Sequence, residues 1–137
     1  MAATTANNQF GLDLFRLIFE DNKTTNTFFS PFSISVALAM TQLGAREKTA
    51  SDMSSTLRWP PGQEEQIHGD FKSYLALLQN KSDSYQLSSA NRLFVEKNYP
   101  ILEDFLKKTK EFYLAGRQYT QILKAWMILC PFNFYLV

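Results

Sequence analysis

Thr27-Phe28-Phe29-Ser30-Pro31-Phe32-Ser33-Ile34-Ser35 is the stretch on which the fold turns, and it runs on through Val36-Ala37-Leu38-Ala39-Met40 to Leu43-Gly44-Ala45. Its first three residues read as a short β-type segment. Ser30 offers a side-chain oxygen as a helix N-cap. Pro31 at the first helical position costs no hydrogen bond, because that amide has no intrahelical acceptor. Gly44 is a candidate C-cap. The helix predicted over 31–43 carries Phe32, Ile34, Val36, Ala37, Leu38, Ala39, Met40 and Leu43 around nearly its whole circumference. A helix apolar on every side belongs in the middle of a protein, so it needs a larger body around it.

Upstream, residues 8–21 read as an amphipathic helix with Phe10, Leu14, Leu17 and Ile18 on one face and Asn7 or Asn8 as its cap. Asp21-Asn22-Lys23-Thr24-Thr25-Asn26 reads as a turn. Downstream, Thr49 and Asp52 form a capping-box-like start for a short helix ending near Leu57. Pro60-Pro61-Gly62 then breaks the chain. A second amphipathic helix is predicted over 63–79, with Ile67, Phe71, Tyr74, Leu75 and Leu78 on its face, followed by a loop at 80–84. From Tyr85 to Lys97 the period switches to two: Leu87, Ser89, Asn91, Leu93 and Val95 point one way, and Ser88, Ala90, Arg92 and Phe94 the other. After a turn at Asn98-Tyr99-Pro100, a last helix buries Leu102, Phe105, Leu106, Thr109 and Phe112. Glu103–Lys107 and Asp104–Lys108 are i, i+4 pairs on its outer side.

Three stretches together resemble the serpin family of serine protease inhibitors. They are Asn8-Gln9-Phe10-Gly11-Leu12-Asp13-Leu14-Phe15, the segment from Thr27 to Ala45 quoted above, and Ala90-Asn91-Arg92-Leu93-Phe94-Val95. Their order and spacing are the specific part, and the ovalbumin-like intracellular branch is the nearest. The resemblance implies an α+β fold whose N-terminal part is mostly helices with one long strand of the central sheet, and it covers residues 1–115. At Gly116-Arg117-Gln118-Tyr119 the pattern departs, and 116–137 reads as a divergent apolar tail that includes Trp126-Met127-Ile128-Leu129 and Phe132-Asn133-Phe134-Tyr135. The tail is too short for a membrane span and contains Pro131. A membrane-contacting role for it is the weaker reading, beside none at all.

By resemblance, Ser30, Pro31 and Ser33 occupy a motif that lies under the central sheet, where the sheet opens to accept a new strand. Asn91 lies on a strand of that sheet. These are structural roles. Serpins inhibit by offering an exposed bait loop near the C-terminus, which the protease acylates and which then inserts into the sheet. No residue here is assigned to that reactive centre. The implied partner is a serine protease in the full-length family member, with an intact serpin as the alternative partner, reached through an open sheet edge. The expected chain is therefore non-inhibitory, with the strands at 27–29 and 85–97 short of neighbours.

Composition limits the other classes. A formal net charge of +1 gives no strong pull on nucleic acid or an anionic membrane. At 45% hydrophobic and 20% charged the chain is globular, of a length that suits a single domain. The single cysteine, Cys130, fits a reducing compartment. Met1 to Asn8 has neither a basic nor an apolar leader region, so a cytoplasmic location is expected, with export to the extracellular space by an unconventional route as the alternative. Asn22-Lys23-Thr24 and Asn80-Lys81-Ser82 match the glycosylation sequon but without secretion are surface triplets. His68, the lone histidine, reads as an exposed helix residue without the partners of a catalytic triad. One histidine and one cysteine make no ordinary zinc site, no glycine-rich phosphate loop is present, and no cofactor is expected. Lys107, Lys108 and Lys110 interleave with Glu103, Asp104 and Glu111, the pattern of a solvated helix face. Some extracellular serpins bind heparin through a basic helix matching 63–79. Here that helix carries Glu64, Glu65 and Asp70 against Lys72, so that property is not carried over.

Overall fold

The computed structural model describes residues 2–21, 23–24, 26–79, 91–96, 98–120 and 128–129. They form five helices and three strands: α1 Ala2–Asp21, α2 Pro31–Gln42, α3 Glu47–Thr56, α4 Glu64–Leu78, β1 Arg92–Glu96, α5 Glu103–Tyr113, β2 Gly116–Thr120 and β3 Ile128–Leu129. Two compact units divide the chain, Met1–Asp70 and Phe71–Val137.

In the first unit, α1 begins six residues before the predicted start, which leaves Asn7 and Asn8 inside the helix. Ala3 and Ala6 are buried with Phe10, so the inward stripe starts on methyl groups. The first turn finds its acceptor at a distance, with Ala3 N–H donating to Asp70 Oδ2 at 3.3 Å. A carboxylate at a helix N-terminus also complements the helix dipole. Leu17, predicted to face inward, is 63% exposed. Burying Ala3, Ala6 and Phe10 fixes the rotation of the helix, and Leu12, Phe15 and Phe19 are left exposed with it. Phe15 and Phe19 stack on each other at 5.8 Å between ring centroids.

Residues 26–30 carry no ladder, so Thr27-Phe28-Phe29 is not a strand here, and Phe28 is wholly exposed. α2 follows as its composition requires. Val36, Ala39 and Met40 are buried, and so are the polar Ser33, Ser35 and Gln42. Gly11 of α1 makes the close approach to α2 possible, because a Cβ there would stand 2.8 Å from Pro31 Cβ and Cγ. Gly44 does not adopt the left-handed conformation of a C-cap. The last turn tightens instead, with Gly44 N–H on Thr41 O at 3.0 Å and Ala45 N–H on Gln42 O at 3.0 Å.

α3 starts at Glu47, two residues before the Thr49 expected to open it, and its N-cap, Arg46, gives no side-chain cap. The Arg46 guanidinium turns back to Leu43 O and Ala45 O, at 3.1 and 2.7 Å. The helix closes in a Schellman arrangement: Arg58 N–H reaches Ser55 O, Trp59 N–H reaches Ser54 O, and Arg58 takes a left-handed φ of 60°. Pro60-Pro61-Gly62-Gln63 is a β-turn with Gln63 N–H on Pro60 O. Gly62 at φ 76° holds the position where a type II turn needs glycine. The N-terminal half of α4 contributes Ile67 and His68 to the core of this unit.

In the second unit, Phe71 and Leu75 of α4 are buried. β1 is the middle strand of a three-stranded sheet of order β2-β1-β3. It pairs in parallel with β2, Arg92 opposite Gly116 through Glu96 opposite Thr120. It pairs antiparallel with β3, Leu93 opposite Leu129. The strand expected to lack most of its sheet neighbours therefore has one on each side, because Gly116–Thr120 and Ile128–Leu129 are extended and pair with it. The predicted alternation holds over Arg92–Val95, with Leu93 and Val95 buried and Arg92 exposed. The part of the predicted strand at 85–90 lies outside the described residues, as does the 80–84 loop. α5 is the crossover between the parallel strands, as such a connection requires. It buries Thr109 and Tyr113, while Leu102 is 75% exposed, one residue before the helix and off its buried face. The Asp104–Lys108 pair forms at 3.1 Å.

Candidate functional site

The motif at 30–33 is a local device built by the start of α2. Ser30 is extended, φ −110° and ψ 106°, as an N-cap should be. Its Oγ accepts from Ser33 N–H at 3.3 Å and from Ser33 Oγ–H at 2.8 Å. Pro31 fills the first helical position, where its missing N–H costs nothing. The structure thus brings Ser30, Pro31 and Ser33 together, with both hydroxyls turned to each other. Ser35, two residues on, was not singled out by the sequence. It is buried, and its Oγ has no partner among the described residues. A polar run on an otherwise apolar helix, Ser30, Ser33 and Ser35, was the available sign.

Asn91 sits in the other unit, at the start of β1. Its Nδ2 donates to Tyr113 O at 2.9 Å, and its backbone carbonyl accepts from Gly116 N–H at 3.1 Å. One residue therefore ties the start of β1 to the end of α5 and the start of β2. Tyr113, which the sequence reading missed, is fully buried, with its ring 6.3 Å from that of Phe71. Burial pushes the Tyr113 phenol well above its ordinary range, which keeps it neutral.

His68 corrects an expectation. It is 5% exposed, not a surface residue. Its position follows from the helix, since it precedes the buried Phe71 and Leu75 by three and seven residues. The imidazole lies edge-on to Trp59 at 5.1 Å, and its Nε2 is 3.0 Å from Gln42 Oε1. Gln42 Nε2 donates to Ser54 Oγ at 3.2 Å. With the amide nitrogen donating to Ser54, its oxygen is the acceptor and His68 Nε2 carries the hydrogen. The amide between Ser54 and His68 cannot take a proton from the serine, so this is no nucleophile–base pair. It is a buried polar chain tying α2, α3 and α4 in the first unit.

Other chemistry is bounded in the same way. Among the described residues no group of three or more His, Cys, Asp and Glu stands close enough to hold a metal ion. No helix among them is long and apolar enough to cross a membrane. Lys72 is paired with Glu111 at 3.3 Å and lies 5.7 Å from the Phe112 ring centre, so this cation is engaged within its own unit.

Comparison with known proteins agrees with this geometry. The family profile described as Serpin (serine protease inhibitor) matches residues 5–125. Leukocyte elastase inhibitor of Bos taurus is 43% identical over 122 residues, 89% of this chain and 32% of the relative. The protein of the same name from Xenopus tropicalis is 45% identical over 113 residues, 82% of this chain and 29% of the relative. Among solved structures, ovalbumin from emu, Dromaius novaehollandiae, superposes with a TM-score of 0.80 at 30% identity, covering 88% of this chain and 34% of that one. Cleaved kallistatin complexed with heparin gives 0.80 at 31% identity, covering 84% and 34%. The chain spans about a third of the length of the curated relatives it matches.

Proposed function

We propose, from the premise that this chain belongs to the serpin family, that the protein's activity class is serine endopeptidase inhibition and that residues 1–137 contribute structural body to it rather than the surface that meets the protease. By family, inhibition runs through acylation of a bait loop and insertion of that loop into the central sheet. The observation that carries the reading is the direction of the motif side chains. Ser30 and Ser33 bond to each other, and Asn91 bonds to the backbone of Tyr113. Each serves a helix cap or a sheet junction, and none is offered to a substrate. On this reading the chain is no enzyme, and residues 1–137 alone do not trap a protease. Residues 1–115 are on this reading serpin body and 116–137 a divergent segment, of which 116–125 still falls within the family match. Incubation with an elastase-like or chymotrypsin-like protease followed by denaturing electrophoresis tests it, and an SDS-stable complex would sink it.

A second reading rests on the sheet. Among the described residues β2 and β3 are its outer strands, each with one neighbour in the order β2-β1-β3. An outer strand offers unpaired backbone groups to another chain, and an intact serpin is the partner this reading names. Co-precipitation with a full-length serpin supports it, and failure to bind any serpin ends it. The cytoplasm is the proposed location, on the strength of the single cysteine.

A further inference from the structure

The first unit contains an open cleft of about 620 Å³, the size of a small-molecule site. It is lined by Ala50, Ser51, Ser54 and Ser55 of α3, by the segment from Arg58 to Pro61, and by Gln42 and Glu64. Gln42 and Ser54 are buried. The hydrogen-bond directions set its chemistry. Ser54 Oγ accepts from Gln42, and among the described residues nothing accepts its own hydroxyl hydrogen, although the side chain is only 8% exposed. Arg58 bonds to Asp13 through Nε at 2.7 Å, which leaves its terminal nitrogens without an acceptor among the described residues. The hydroxyls of Ser51 and Ser55 add further donors. Against these stand two carboxylates, that of Glu64 in the lining and that of Asp13, already paired with the Arg58 guanidinium at 2.7 Å. The apolar surface is supplied by Ala50, Trp59, Pro60 and Pro61.

A cleft with unused donors, one guanidinium and a compact apolar wall fits an acceptor-bearing ligand with an apolar body. We propose that this cleft binds small carboxylates, with the carboxylate held by Ser54 Oγ–H and the Arg58 guanidinium and the hydrocarbon part against Ala50, Pro60 and Pro61. Glu64 opposes such a ligand and Asp13 already shares the Arg58 charge, so together they limit its affinity.

The test follows Trp59 emission in the full chain carrying Trp126→Phe, which leaves Trp59 as the sole tryptophan. The probes are cyclohexanecarboxylate and, as the cation of similar body, cyclohexylmethylammonium. The carboxylate gives a saturating response, and the amine binds about tenfold more weakly or worse, the size of one charge-assisted hydrogen bond. Arg58→Gln weakens the carboxylate about tenfold by the same argument. Glu64→Gln tightens it about twofold, the size of one exposed charge pair. Ser54→Ala also weakens it, and should that variant unfold, the exposed Arg58→Gln decides alone. A response that climbs without saturating, one equal for amine and carboxylate, or one unchanged in Arg58→Gln overturns the proposal.

Discussion

Replacing Ser30 by alanine tests whether the motif at the start of α2 is a working cap. Two interactions leave with the hydroxyl. The first is the cap itself, Ser33 N–H on Ser30 Oγ at 3.3 Å, worth about 1 kcal/mol. The second is the 2.8 Å bond from Ser33 Oγ–H, whose loss leaves a hydroxyl only 7% exposed without its acceptor, at about 1 kcal/mol more. Ser30→Ala therefore costs about 2 kcal/mol. Ser33→Ala removes only the second bond and costs about 1 kcal/mol, leaving the cap in place. The double variant then costs about 2 kcal/mol rather than 3, because the hydroxyl bond is counted in both single changes. Ser30→Asp keeps a capping oxygen and recovers most of the loss. The assay is urea unfolding followed by far-UV circular dichroism. With a slope of about 2 kcal/mol per molar urea, Ser30→Ala lowers the midpoint by about 1 M. A shift within error of zero for Ser30→Ala, or strictly additive single and double variants, refutes the cap and the Ser30–Ser33 bond together.

Two further outcomes follow from packing and burial. Gly11→Ala gains roughly 1 kcal/mol of helix propensity but forces a methyl to within 2.8 Å of Pro31, an overpacking that costs about 1–3 kcal/mol. Urea unfolding should show net destabilisation, and a more stable variant would mean that α1 and α2 do not approach as described. Tyr113 is buried and neutral, with its phenol raised above the ordinary value near 10. The unfolded chain therefore loses that proton first as pH rises. Its stabilising contribution is intact below about pH 10 and is lost progressively above it. Urea midpoints measured across that range should fall more steeply for the natural chain than for Tyr113→Phe, and identical alkaline slopes would contradict the burial.

The apolar periodicity located α4, whose inward Ile67, Phe71 and Leu75 are buried, whereas α2 was read from its Ser30-Pro31 start and its all-round apolar composition. It missed the first turns of α1 because Ala3 and Ala6 bury only methyl groups and do not stand out as a stripe. It took His68 for a surface residue by chemical type, although the spacing to Phe71 and Leu75 put it on the inward face. Tyr113 escaped for a related reason, as the last residue of α5 and one turn past Thr109. The strand at Gly116–Thr120 was hidden because backbone register makes the pairing with β1, and Gly-Arg-Gln-Tyr-Thr shows no apolar alternation. The Ser30 cap was legible because capping is local. The polar chain His68–Gln42–Ser54 was not, because it joins residues that only the packing of three helices brings within reach.

Mixing purified chain with an elastase-like serine protease at equal concentration, and resolving the products under denaturing conditions, tests the central claim most directly. The account predicts cleavage fragments and a fully active protease, with no band of combined mass, because the family-motif residues of 1–137 serve caps and sheet junctions. A covalent band whose acyl bond maps to a residue within 1–137, with matching loss of protease activity, would contradict it.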